Sequence, residues 1–284
     1  MQSVKPEGGD NVEADRHLTN NVDRFSGFQD TYNRYRPKAP QLVVDILAGY
    51  LGQRPKRVVD VGCGTGLSSF IWATHTDEVV GFEPSDDMRG VAEAARSAHP
   101  KAHHISFLKA YSYQLQMEDE SADIVTCSQS FHWMEPESTL REVARVLRPG
   151  GVFAAYDCDW PPTVDWRVEA AYEKLMDKVE ALVAARQPKE QQVTKWPKHE
   201  HLQNIAASGH FCFAKEIVFH NTEPCDAERY VGLAVSQGGL QTVIKSGWTD
   251  LDTDIASFRA IVDQAFAGRT RDILFSYRMR VGIR

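Results

Sequence analysis

The chain has 284 residues, 42% of them hydrophobic and 25% charged, enough to bury one large core with a cap and too apolar for a disordered polymer. Its 32 Lys and Arg against 39 Asp and Glu leave a formal charge of −7, the opposite of the balance with which a duplex nucleic-acid binder neutralises phosphates. The five cysteines, Cys63, Cys127, Cys158, Cys212 and Cys225, are odd in number and contain no CxxC pair, which argues against a disulfide framework or a zinc site.

In chain order, Met1 to Asn21 is polar, carries Gly8-Gly9 and Asn20-Asn21, and lacks the basic start and apolar run of a secretory signal. It reads as a loosely ordered tail. No apolar stretch approaches membrane-spanning length, so a cytoplasmic protein is expected. Val43, Val44, Leu47, Tyr50 and Leu51 recur at helical spacing behind Pro40, which suits a first helical turn. Arg57 to Val61 is a short apolar run entering glycines, and Leu67 to His75 continues without breakers, predicting strand, glycine loop and helix.

Val79 to Phe82 predicts a second strand, followed by a helix capped by Ser85 with Met88, Val91, Ala92 and Ala95 on one face. His104 to Leu108 and Ala122 to Cys127 predict strands three and four. Leu140, Val143, Ala144 and Leu147 mark the next helix, which Pro149-Gly150-Gly151 is expected to stop before a fifth strand, Val152 to Tyr156. Strands alternating with helices at this spacing imply an α/β fold with a parallel sheet covered on both faces. Beyond it, Leu175, Val179, Leu182 and Val183 predict an amphipathic helix, and the charged stretch Arg186 to His201 a lid or loop. Lys215 to Phe219 predicts a sixth strand, Ile255 to Ala265 a helix and Ile273 to Ile283 a closing strand.

The most informative segment is Asp60-Val61-Gly62-Cys63-Gly64-Thr65-Gly66, where a strand runs into glycines that admit positive φ and close approach of a ligand. Glu83 ends the second strand, where a carboxylate can accept both ribose hydroxyls of an adenosine. A nicotinamide dinucleotide would call for GxGxxG spacing and pyrophosphate capture. Here the spacing is GxGxG, Asp60 precedes the loop, and no Lys or Arg lies between Asp60 and Phe70, which suits a cationic ligand without phosphate.

Together with Asp123 to Trp133, Leu147-Arg148-Pro149-Gly150-Gly151 and Tyr35-Arg36-Pro37, these segments resemble the class I S-adenosylmethionine-dependent methyltransferases, in particular the methyltransferase type 11 group that includes trans-aconitate methyltransferase. The resemblance covers Tyr32 to Tyr156. It implies a Rossmann-like three-layer sandwich with a seven-stranded, mostly parallel sheet in the order 3-2-1-4-5-7-6, the last-added strand antiparallel, and a helical cap. The expected organisation is a tail and cap segment at 1–38 and a methyltransferase domain at 39–284, with 160–210 inserted as a substrate cap.

The implied reaction is methyl transfer from S-adenosylmethionine to a small-molecule acceptor, releasing S-adenosylhomocysteine. A catalytically inactive cofactor-binding protein or a protein methyltransferase are the alternatives. The backbone at Gly62 and Gly64 would pass under the methionine part of the cofactor, with Cys63 between them also at the cofactor, Asp60 would steer its amino group through the loop or water, Glu83 would hold the ribose, and Met88 would pack on the adenine. Many relatives carry an acidic residue after the third strand, whereas this chain reads Lys109-Ala110-Tyr111-Ser112. The backbone of Ala110 and Tyr111 is then expected at the adenine edge, with Ser112 as a replacement acceptor. Ser128 and Gln129 would meet the methionine part and Arg36 its carboxylate.

His132 is the candidate general base, because an imidazole with a pKa near neutrality can take a proton from an acceptor hydroxyl. Trp133, Asp157, Asp159 and Trp160 are further pocket candidates. His103-His104 and His199/His201 complete no ligand set in the sequence, so no metal is expected. Nor is a nucleic-acid or membrane partner, and a monomer or homodimer fits.

Overall fold

The computed structural model describes Gly27 and residues 29–284; the expected tail of the first twenty or so residues lies outside them. Seven strands form one sheet: β1 (Arg57–Val61), β2 (Glu78–Phe82), β3 (Ile105–Leu108), β4 (Ala122–Ser128), β5 (Leu147–Cys158), β6 (Phe213–Cys225) and β7 (Arg271–Ile283). Their order is β3-β2-β1-β4-β5-β7-β6, and β7 alone runs antiparallel to its neighbours. This is the fold expected from the sequence.

Each central strand is buried on both faces, as its unbroken Val and Ile content dictates. Alternate residues serve opposite layers. Val58, Ile124, Val152, Ala154 and Tyr156 pack with Val43, Val44 and Leu47 of α2 (Gln41–Leu51), which follows α1 (Gln29–Tyr35), and with α3 (Asp86–Ala98) through Ala92. Val59, Val125, Phe153 and Ala155 face α4 (Pro136–Val146) and Ile205 of α6 (His201–Ala207).

The first layer extends into a helical group. In it α5 (Trp166–Arg186), α7 (Ala227–Val235), α8 (Gly238–Lys245) and α9 (Asp252–Phe266) bury Tyr172, Tyr230, Leu240 and Phe258 with Ile273, Phe275 and Tyr277 of β7. The short α1 (Gln29–Tyr35) buries no residue fully and rests on α7. It docks where α7 has Gly232, because a Cβ there would overlap the Tyr35 ring. Gly232→Ala is therefore expected to lift α1 from α7 while the sheet persists. The measurement is ligand affinity beside thermal unfolding, and an unchanged affinity would show that α1 stays docked.

Two expectations need correction. Leu67 to His75 is not an α-helix but a run of turns around a 3₁₀ turn at Phe70–Trp72. The amides of Ser69, Trp72, Ala73 and His75 each bond three residues back, and the hydroxyls of Ser68 and Ser69 are drawn to Asp60. Likewise, Pro149-Gly150-Gly151 does not separate helix from strand: α4 ends at Val146, and β5 begins at Leu147 and runs through the glycines. Ala122 and Leu147 pair there ahead of a register shift.

Candidate functional site

A cavity opens over the C-terminal ends of β1, β2 and β4. Its floor is the glycine loop. The amides of Gly62 and Cys63 both donate to Phe82 O, at 2.8 and 3.1 Å, which folds the loop over β2. Gly62 has φ +69°, and a Cβ on it would sit 2.7 Å from Ser130 Cβ and 2.8 Å from Met134 Cε. Gly64 has φ +56° with nothing within 4 Å of the place a Cβ would take, so the backbone itself faces open space there.

Asp60 lies beneath this floor and is fully buried. Its Oδ2 accepts from Ser68 Oγ and Ser69 Oγ, both at 2.6 Å, and its Oδ1 from Thr126 Oγ1 at 3.0 Å. Burial raises its pKa, against the three hydroxyl bonds. It does not line the cavity; it ties the loop to β4 and to the following turns. From there it holds the loop, so any influence on a ligand passes through the loop rather than by direct contact.

Glu83 stands at the rim. Its two oxygens accept from Gly64 N (3.0 Å) and Ser85 N (2.9 Å), leaving each with a lone pair for a ligand. Burial pushes its pKa up to about 7 in spite of those two bonds. Met88, in the first turn of α3, completes this side.

Ala110, Tyr111 and Ser112 form the next stretch of wall. Tyr111 stacks on Tyr113 at 5.6 Å between ring centres, and Ser112 Oγ is 2.7 Å from Thr139 Oγ1, so its hydroxyl is already engaged with α4. Lys109, where many relatives have an acid, turns to Asp86 at 2.9 Å.

From the far side come Ser128 and Gln129. Gln129 has φ +52°, uncommon for a non-glycine residue, and is held by its N–H to Tyr156 O at 2.8 Å and by Cys158 Sγ to its Oε1 at 3.4 Å. Arg36 closes the opening. Its guanidinium lies between the rings of Tyr32 (5.0 Å) and Trp160 (4.8 Å) and donates to Ser236 O and Gln237 Oε1, while its buried Nε has no partner.

Of the eleven residues expected to hold a cofactor, ten therefore line this one cavity: Arg36, Gly62, Cys63, Gly64, Glu83, Met88, Ala110, Tyr111, Ser128 and Gln129; Asp60 is the exception. Tyr32, Leu67, Ser130, Met134 and Tyr277 also line it without having been singled out. Tyr32 was legible as a neighbour of Arg36 at helical spacing. Tyr277, on β7, carried no local signal.

His132 requires a correction. The 3₁₀ turn Phe131–Trp133 sends Trp133 to the cavity, while His132 is not part of its wall and lies with Nδ1 3.4 Å from Asp157 Oδ1. Burial lowers its pKa although Asp157 acts to raise it. Asp157 is buried too, and of the other pocket candidates Asp159 pairs with Arg278 at 3.0 Å.

Comparison with known proteins agrees with this geometry. Residues 59–155 match the family model of a methyltransferase domain. CRG1 of Saccharomyces cerevisiae, provisionally named an S-adenosylmethionine-dependent methyltransferase, is 34% identical over 137 residues, 48% of this chain and 47% of CRG1. The O-methyltransferase rstn1 of Aspergillus nomiae is 36% identical over 106 residues, 37% of this chain and 47% of its own. The chain thus spans about half the length of these curated relatives. A provisionally assigned type II methyltransferase from Anaeromyxobacter dehalogenans has the same fold, with a TM-score of 0.65 at 21% identity, covering 88% of this chain and 98% of that one.

Proposed function

We propose that the chain is a class I S-adenosylmethionine-dependent methyltransferase that methylates a small-molecule acceptor, a reading supported by the matched methyltransferase domain and the sheet order. The observation that carries this reading is the convergence of Glu83, the Gly62 to Gly64 cradle and Arg36 on a single cavity. The residues fit S-adenosylmethionine. A carboxylate meets a ribose, glycine backbone leaves room for the methionine part, a guanidinium meets a carboxylate, and the loop has no basic side chain for a pyrophosphate.

When bound, the cofactor supplies a methyl group already activated on a positively charged sulfur, which an acceptor lone pair displaces in line. The work left to the protein is alignment, for which well-oriented reactions reach effective molarities of about 10⁵–10⁸ M. Glu83 would fix the ribose, Met88 and the Ala110–Tyr111 backbone the adenine, and Arg36 with Ser128 and Gln129 the methionine end. Trp133, Tyr277 and Tyr32 would then border the acceptor, with residues 29–38 and 160–210 contributing the cap. With His132 turned away, Tyr111, whose side chain belongs to the wall, would be the candidate to take a proton. An acceptor that is already anionic would need none.

The test is calorimetric titration of the full chain with S-adenosylmethionine, S-adenosylhomocysteine and NAD, followed by methyl transfer from labelled cofactor to panels of small acids, phenols and amines. Binding of the first two ligands with transfer to a small acceptor is expected. Binding of NAD alone would overturn the reading, and transfer to protein alone would overturn its acceptor class.

A further inference from the structure

Behind the cavity wall, three elements bring together side chains that the proposed reaction does not use. His132 comes from the turn after β4, Asp157 from the end of β5, and His201 from the start of α6. All three are buried, and one donor atom from each lies within 4.8 Å of the others. His201 is fully enclosed, yet neither of its ring nitrogens has a hydrogen-bond partner. A buried polar group left so costs about 1–3 kcal/mol, and native structures leave few of them without a reason.

We infer that His132, Asp157 and His201 bind a divalent transition-metal ion. Two imidazole nitrogens and one carboxylate oxygen are a three-ligand set suited to Zn²⁺, which takes such donors at about 2.0–2.2 Å and leaves a further position open. Binding at that range would draw the three donors closer together than the 4.8 Å within which they now lie.

Asp157 also faces cations of the chain itself. Lys198 Nζ stands 2.8 Å from Asp157 Oδ1, while Arg280 is engaged with Glu216 at 2.9 Å and lies 3.7 Å from Asp157. The Lys198 side chain is 39% exposed and free to turn outward into water. A metal ion would then take its place on Asp157. It would also fasten α6 and the preceding segment, already bonded through Trp196 N to His132 O at 2.9 Å, against the turn that carries Trp133 into the cavity.

The test uses the full chain stripped with a chelator and titrated with Zn²⁺ by calorimetry and with Co²⁺ by its visible absorption. About one equivalent should bind per chain, with Co²⁺ bands of low coordination number. His201→Gln and Asp157→Asn should weaken binding at least tenfold. Lys198→Met, a change at a part-exposed side chain, should tighten it about tenfold by removing the competing ammonium. His199→Gln, at an exposed neighbour, should change nothing. Binding unaltered in both His201→Gln and Lys198→Met would overturn the inference, as would wild-type protein that takes up neither ion. Because the readout is metal binding, its failure leaves the methyl-transfer reading untouched.

Discussion

Asp60→Ala is expected to lower the unfolding free energy by about 3 kcal/mol, since the hydroxyls of Ser68, Ser69 and Thr126 would each lose a partner in a buried setting at roughly 1 kcal/mol or more apiece. Against a total stability of about 5–15 kcal/mol this is a large share. The carboxylate's charge is not what stabilises: burial raises the Asp60 pKa, so the folded state disfavours its ionised form. Hence Asp60→Asn, which keeps one acceptor oxygen and sheds the charge, should lose less than Asp60→Ala. Urea unfolding monitored by circular dichroism measures both, and an alanine variant as stable as wild type would remove the anchoring role. Where Asp60→Ala remains folded, its loop loses the tie to β4, so cofactor affinity should fall with stability.

The second large effect concerns Glu83. Its folded pKa of about 7 lies above the ordinary value of 4.5 because burial outweighs the bonds from Ser85 and Gly64. The sign follows from the raised value. The free protein holds this proton through weakly acidic pH, and its contribution to stability is full below about 4.5 and lost as the pH rises through about 7. Ribose hydroxyls are better accepted by the ionised form. Affinity for S-adenosylhomocysteine should therefore rise about tenfold from pH 6 to pH 8 and level off above it. Binding near pH 6.5 should release a proton, which calorimetry in buffers of different ionisation enthalpy detects.

Glu83→Gln should flatten that dependence and weaken binding by about 1.5–3 kcal/mol for each charge-assisted bond lost at pH 8. A pH profile that keeps its slope in the glutamine variant would assign the titration to another group. Unchanged affinity in the variant would exclude Glu83 from the ribose.

These two carboxylates illustrate how far the chain's order reaches. The β-branched runs at 57–61, 79–82 and 122–127 fix strands because such side chains fit a sheet buried on both faces, and the glycines after Val61 fix a turn that other residues could not take without strain. Glu83 is legible as the residue that ends the strand after that turn, and Arg36 only through the resemblance carried by Tyr35-Arg36-Pro37. By contrast α7 is buried nearly all round, with Tyr230 to Ala234 consecutive in the core, so no polar face gave it a period, and α1 is too short to stand without the contact at Gly232.

Tertiary structure alone decided which way several side chains point. Asp60 turns beneath the loop because Thr126, from a strand far along the chain, supplies the third hydroxyl; His132 turns from the cavity toward Asp157; and His201 joins them from beyond α5. Local sequence sets backbone periodicity and turn geometry, which need only near neighbours. The direction of a buried polar side chain depends on where a partner exists to meet the cost of leaving water, and that partner is brought into reach only by the folded sheet.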